Sequence, residues 1–153
     1  MEDSGEFEVD SKLDTVWGLI SDANKFSKFL PDVTSVEVDG DHFDIRFNVD
    51  IRKYTSKFMG ASYLSNISVK FSGSLSEKKQ NEHVKIDGKG SAVGMKFSVS
   101  LGIDLVQSGD KVDVKWVSSI ETGGLAKIFG DDIMTEAVKS TVGQIIENMK
   151  KGL

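Results

Sequence analysis

Side chains equipped for chemistry are few in this 153-residue chain, and none stands at a spacing that makes a reaction centre. The chain has no Cys, which removes thiol nucleophiles, disulfides, iron–sulfur ligation and thiolate zinc sites, and leaves its redox compartment undetermined. Its two His, His42 and His83, fall at a hairpin turn and a strand start. Neither has a second His or a carboxylate at metal-ligand spacing, so both are expected at the surface and no metal site is expected. Asp131, Asp132 and Glu136 lie beside or opposite an apolar helical stripe, where a solvated face is the ordinary state; acid/base work by a carboxylate pair would need burial. Gly123 and Gly124 precede a helix start but match neither a phosphate-cradling loop nor a dinucleotide fingerprint, and read as a tight strand-to-helix turn. No G-x-S-x-G elbow occurs. The chemistry left open is non-covalent: inward apolar and aromatic side chains that either enclose a lipophilic molecule or fill a solid core, since alternation shows a dry face and cannot show a void.

Hydrophobic periodicity marks the elements that carry them. Phe7 and Val9 alternate with Glu6, Glu8 and Asp10 in a first strand ending at Ser11, which reads as a helix N-cap. Leu13, Val16, Trp17 and Ile20 recur at helical spacing through Asp22, and a second short helical turn carries Phe26, Phe29 and Leu30 up to Pro31, the only Pro. The period then drops to two. Val36 and Val38, then Phe43, Ile45, Phe47, Val49 and Ile51 past an Asp39–Gly40 turn, predict a hairpin. Ile67, Val69, Phe71 and Leu75 continue the pattern, and Glu77 to Glu82 reads as the turn before Val84 and Ile86. Met95, Phe97, Val99, Leu101, Ile103 and Leu105 make the longest run. After Gly109–Asp110, Val112, Val114 and Trp116 open a last strand to about Glu121. From Gly123 the period becomes helical, with Leu125, Ile128, Phe129, Ile133, Ala137, Val138, Val142, Ile145, Ile146 and Met149 in one stripe; roughly 25 residues give a helix about 38 Å long. The order is α+β: a strand, two short helices, six strands and a long terminal helix. Its simplest packing is a curved seven-stranded antiparallel sheet wrapped around that helix.

With 39% hydrophobic and 28% charged residues and a formal charge of −5, residues 1–153 are expected to form one domain large enough to need no staple. The 19 basic and 24 acidic residues are spread almost evenly, so no basic patch marks a nucleic-acid partner. The start, MEDSGEFEVD, lacks the basic and apolar parts of a signal peptide, and no run approaches eighteen apolar residues, which predicts a cytoplasmic protein that does not span a membrane. Nothing marks a self-complementary patch, so the oligomeric state stays open.

Several segments resemble the carbon monoxide dehydrogenase CoxG family over nearly the whole chain. They are Gly5-Glu6-Phe7-Glu8-Val9-Asp10, the Val16-Trp17 pair, Phe29-Leu30-Pro31 followed by Ser35-Val36-Glu37-Val38, and above all Gly123-Gly124-Leu125-Ala126-Lys127-Ile128-Phe129-Gly130. The resemblance implies the helix-grip fold shared with START-type lipid-transfer domains and polyketide cyclases, with an elongated apolar cavity between sheet and terminal helix. It implies an accessory protein of a molybdenum hydroxylase of the carbon monoxide dehydrogenase type, holding a quinone- or lipid-like ligand without a covalent cofactor and without catalytic residues. The lining it implies is Phe26, Phe29, Leu30, Phe47, Phe71, Met95, Phe97, Trp116, Phe129, Ile133 and Met134, with Phe26, Phe29 and Met134 at the mouth.

Three departures accompany the resemblance. Pro31-Asp32 stands where the family has Pro-Gly, at one mouth of the cavity. The chain stops at Leu153, where membrane-acting members carry an extension, so peripheral rather than anchored contact at the inner membrane face is expected. Arg52–Asn66 replaces a short turn and holds Tyr54, Phe58, Met59, Tyr63 and Leu64 with three positive charges, either a partner- or bilayer-facing loop or a plain hairpin tip. Two rival functions remain in view. A cyclase- or hydrolase-like enzyme would need an inward polar group such as Ser118 or Thr122, and a cavity-free interaction module would work through the insertion.

Overall fold

The alternating runs become seven strands, and a computed structural model describes residues 1–50 and 66–152. In chain order the elements are β1 (Glu2–Val9), α1 (Leu13–Ile20), α2 (Ala23–Phe26) continuing into a 3-10 turn (Ser27–Phe29), β2 (Val33–Asp39), β3 (His42–Asp50), β4 (Asn66–Lys79), β5 (His83–Ala92), β6 (Met95–Ser108), β7 (Lys111–Glu121), α3 (Leu125–Phe129) and α4 (Asp131–Gly152). All strand pairs are antiparallel, in the spatial order β1-β7-β6-β5-β4-β3-β2. The curved sheet and long terminal helix form the expected α+β helix-grip fold. The Arg52–Asn66 insertion lies outside the described residues, apart from the Asn66 backbone at the start of β4.

Two separate cores close the space between sheet and helices. The larger gathers Val9, Val16, Ile20, Phe43, Ile45, Leu75, Val84, Leu105, Val112, Val114 and Met149, joining α1, the sheet and the C-terminal end of α4. The smaller gathers Ile67, Val69, Ala92, Leu125 and Phe129 at the other end, under α3. Buried apolar area drives both, at roughly 25 cal/mol per Å² removed from water. The stretch of α4 between them belongs to neither: of its apolar stripe, only Met149 is fully buried.

The structure corrects four local expectations. Ser11 is not the N-cap of α1; Lys12 takes that position with no side-chain hydrogen bond, while Ser11 N–H closes a turn onto the Val9 carbonyl at 3.1 Å. The side-chain cap falls instead at Asp22, whose carboxylate accepts from Asn24 N–H at 2.9 Å at the start of α2. The Glu77–Glu82 turn is shorter than predicted, because β4 runs on to Lys79 through a register shift after Ser76. The single terminal helix is two helices, broken at Gly130, whose φ of 86° and ψ of 154° belong to a backbone region open essentially to glycine alone. His83 is half-buried rather than exposed: its Nδ1 lies 2.8 Å from Asp104 Oδ1, the residue opposite it across β5 and β6. His42 is exposed as expected, with Nδ1 2.8 Å from Ser74 Oγ. Asp32, just after Pro31, takes φ 47°, a left-handed conformation that Asp tolerates better than most residues.

Candidate functional site: an apolar cavity beneath the terminal helix

Three glycines in the middle of the sheet decide what happens above it. Phe97 faces Gly90 across β5 and β6, Phe71 faces the same Gly90 from β4, and Phe43 on β3 faces Gly73 on β4. A Cβ on Gly90 would stand 2.2 Å from Phe97 Cζ, one on Gly88 would stand 2.3 Å from Phe71 Cζ, and one on Gly73 would stand 2.5 Å from Phe43 Cζ. The far end of each ring therefore rests at the level a side chain's first carbon would occupy. Rings laid down in this way fill the glycine gaps laterally and do not rise toward the helix. Phe43 and Phe71 have centroids 5.9 Å apart, Phe71 and Phe97 are 6.3 Å apart with planes only 16° from parallel, and Phe26 meets Phe43 edge-on at 5.3 Å.

Above these rings lies a cavity of about 410 Å³, walled by the concave sheet face on one side and α4 on the other. Of the residues predicted to line it, Phe26, Phe29, Leu30, Phe47, Phe71, Phe97, Trp116, Phe129, Ile133 and Met134 all do so. Met95 does not. It opens β6 beside the Val93–Gly94 turn, is 38% exposed, and packs its sulfur where a Gly124 Cβ would stand at 2.7 Å. Alternation counted back from Phe97 assigns Met95 to the inner face and cannot show that the wall ends before it. From α4, Ala137, Val138, Thr141, Val142, Ile145 and Ile146 complete the roof, each half-buried.

Polar groups in the wall are scarce, and two of them are committed to backbone carbonyls. Thr141 Oγ1 donates to its own helix at the Ala137 carbonyl, 2.8 Å away. Ser118 is buried, with Oγ 3.4 Å from the Asp3 carbonyl, and Thr122 follows it along β7 and its exit. Trp116 lies across Gly5, whose Cβ would meet the indole at 2.6 Å, and its Nε1 is buried without a partner among the described residues. No Asp, Glu, Lys, Arg or His is among the described lining residues. Among the described residues no group of acidic, His or Cys side chains could hold a metal ion.

One edge of the cavity is fastened by contacts that periodicity cannot reveal. Asn148 Nδ2 donates to the Phe29 carbonyl at 2.9 Å, and the Phe29 ring packs where a Gly152 Cβ would stand at 2.8 Å. These tie the 3-10 turn to the last turns of α4. At the opposite end α3 seals the space with Leu125 and Phe129, and Gly123 turns the chain into it with φ 55°, so close to the Lys96 carbonyl that a Cβ would stand 2.7 Å away.

The sequence profile of the carbon monoxide dehydrogenase CoxG family matches residues 5–153. This chain belongs to that family. Solved structures agree on the fold. A conserved protein of Geobacillus kaustophilus superposes with a TM-score of 0.81 at 17% identity, covering 99% of this chain and 94% of that one. A protein of Chromobacterium violaceum gives 0.69 at 14% identity, covering 98% and 94%. A START superfamily protein of Mycobacterium smegmatis gives 0.66 at 14% identity, again covering 98% and 94%. No curated sequence matches the chain significantly. No helix among the described residues is long and apolar enough to cross a membrane.

The glycine floor makes the cavity testable by a single methyl group. In Gly73→Ala the atoms nearest the new Cβ are ring atoms of Phe43 and Phe71. It should lift those rings into the cavity, cost about 1–3 kcal/mol in chemical denaturation, and reduce the number of molecules of the neutral dye Nile red bound per chain. Adding Phe71→Leu should recover part of both losses. Unchanged dye capacity in folded Gly73→Ala would show that the rings do not set the cavity floor.

Proposed function

We propose that this chain is a carrier for one neutral, lipophilic small molecule of the quinone or lipid class, acting as an accessory to a molybdenum hydroxylase of the carbon monoxide dehydrogenase type and passing its electrons to the bound quinone. The observation that carries this reading is the unsealed roof: a 22-residue helix presents a continuous apolar stripe, and the sheet beneath it does not rise to cover it. A cavity of about 410 Å³ with an apolar wall is of the size and character that small hydrophobic ligands fill, and each buried methylene contributes about 0.8 kcal/mol. No carboxylate or imidazole is among the described lining residues to act as general base, which favours binding over catalysis. Location follows from the role: a cytoplasmic carrier that meets the membrane only peripherally.

Uptake requires Phe26–Pro31 to part from α4, and the Asn148–Phe29 hydrogen bond is the fastening that must open. Asn148→Ala should therefore speed exchange of a bound dye by about fivefold, the effect of one net hydrogen bond, and lower the melting temperature by about 2–4 °C. Unaltered exchange would place the opening elsewhere.

The function itself is tested by extracting the purified protein with organic solvent and by offering the emptied protein a short-chain ubiquinone. The expected result is a neutral compound near one per chain, or quinone uptake at that ratio, and loss of both in folded Phe97→Arg. A protein that is empty, takes up neither quinone nor lipid, or binds equally well as Phe97→Arg contradicts the proposal.

A further inference from the structure

We infer that the β5–β6 turn, Val93 and Gly94 with Met95, together with the cationic row behind it, Arg46, Lys70 and Lys96, is the surface by which this protein lies on an anionic lipid bilayer. The inference rests on the carrier reading above and goes further by naming the residues that meet the membrane and the charge they meet there. Its first observation is a turn built against its own geometry. Val93 has φ 52° and Gly94 φ 75°, and a two-residue hairpin loop with positive φ at both positions is the one that prefers Asn-Gly. A β-branched residue is strained there. The other described hairpins place Gly40, Asn81 and Gly109 at their left-handed positions. Here the strain holds an apolar side chain at the apex: Val93 is 40% exposed, and Met95, directly after the turn, is 38% exposed.

The second observation is the charge beside that apex. Arg46, Lys70, Ser91 and Lys96 stand opposite one another in turn across β3, β4, β5 and β6, one residue pair behind the turn's closing pair, Ala92 and Met95. The three cations are exposed, and none forms an ion pair among the described residues. Like charges directly opposite on neighbouring strands repel, so Arg46 beside Lys70 weakens the sheet until an anion relieves it. The next row away from the turn is mixed, with Asp44, Lys89 and Glu121. In a chain of net charge −5, three cations behind an apolar tip complement a layer of anionic headgroups: their long stems reach the phosphates while Val93 and Met95 enter the boundary beneath. A protein partner asks for roughly 20–30 residues of matching surface, which a single projecting turn does not offer. Register ties this end to the cavity. Ala92 pairs with Val69, Val69 with Phe47 and Phe47 with Val33, so the Phe26–Pro31 segment that must move for uptake joins the sheet at the end where the turn projects.

Co-sedimentation of the full chain with vesicles tests this directly, using phosphatidylcholine alone and phosphatidylcholine mixed with phosphatidylglycerol. The wild type should bind the mixed vesicles at least about tenfold more tightly than the neutral ones, and added salt should release it. Lys70→Gln/Lys96→Gln should weaken binding to the mixed vesicles about 25-fold, at about fivefold for each cation near the surface. Val93→Asn restores the preferred turn pair and removes the apolar apex. It should raise the melting temperature by about 2–4 °C while weakening vesicle binding about fourfold, opposite signs that a purely structural turn does not produce. A wild type that ignores the mixed vesicles, or binding that survives in both variants, overturns the inference, and quinone uptake from detergent solution then decides the carrier reading separately. Binding that is lost in Lys70→Gln/Lys96→Gln but unchanged in Val93→Asn also overturns it, since it marks an anionic partner that meets the cations without the tip. A protein that binds vesicles through this surface yet takes up neither quinone nor lipid supports the inference and defeats the carrier reading.

Discussion

A phenylalanine set opposite a glycine on the neighbouring strand can lie down across the sheet, and the rest of this structure depends on that local choice being made three times. Phe43 over Gly73, Phe71 over Gly88 and Phe97 over Gly90 turn the concave sheet face into a low floor. An ordinary sheet-on-helix core fills such a space with upright side chains at near-crystalline density. Here the helix above retains its apolar stripe while the floor beneath recedes, and the void between them is the feature of the described residues suited to holding an apolar ligand of appreciable size out of water.

A void under a helix is tolerable only if the helix is held at its ends. The larger core receives Met149 at the C-terminal end of α4, and Asn148 and Gly152 bind that end to Phe29. The smaller core anchors α3, and Gly130 redirects the chain so that α4 can start over the cavity without carrying the direction of α3. Asp131 and Asp132 stand in the first turn of α4, where negative charge complements the helix dipole, and Lys150 and Lys151 stand in its last. Stability is thus concentrated at the two ends and withheld from the middle, the distribution that lets the middle accept a guest.

The sequence shows these features unevenly. Strands and helices are legible because periods of two and 3.6 reflect burial on one side, and the inner faces they define contain nearly all the cavity wall. The void is not legible, since the same alternation in Phe71 and Phe97 describes upright and lying rings alike. Gly73, Gly88 and Gly90 carry no signal in the periodicity, and their meaning depends on which residue the register sets beside them, a long-range fact. The break at Gly130 is hidden because the apolar stripe continues across it. Met95 is misassigned by alternation, which has no way to mark where a wall ends, and the role of Asn148 leaves no mark in the periodicity because its partner, the Phe29 carbonyl, is 119 positions away. His83 reads as a surface residue because its partner Asp104 sits on another strand.

Membership in the CoxG family and the physical reading of the cavity meet at one claim: the space between the phenylalanine floor and α4 is real, dry and able to hold an apolar guest. A crystal of the solvent-extracted protein under xenon pressure tests this most directly, because xenon orders in dry apolar cavities and not in close-packed cores. The account predicts strong xenon density between Phe97 and Val138, with the rings of Phe71 and Phe97 still resting on β5. A core in which α4 has settled onto upright rings, with no xenon beneath it, would contradict it.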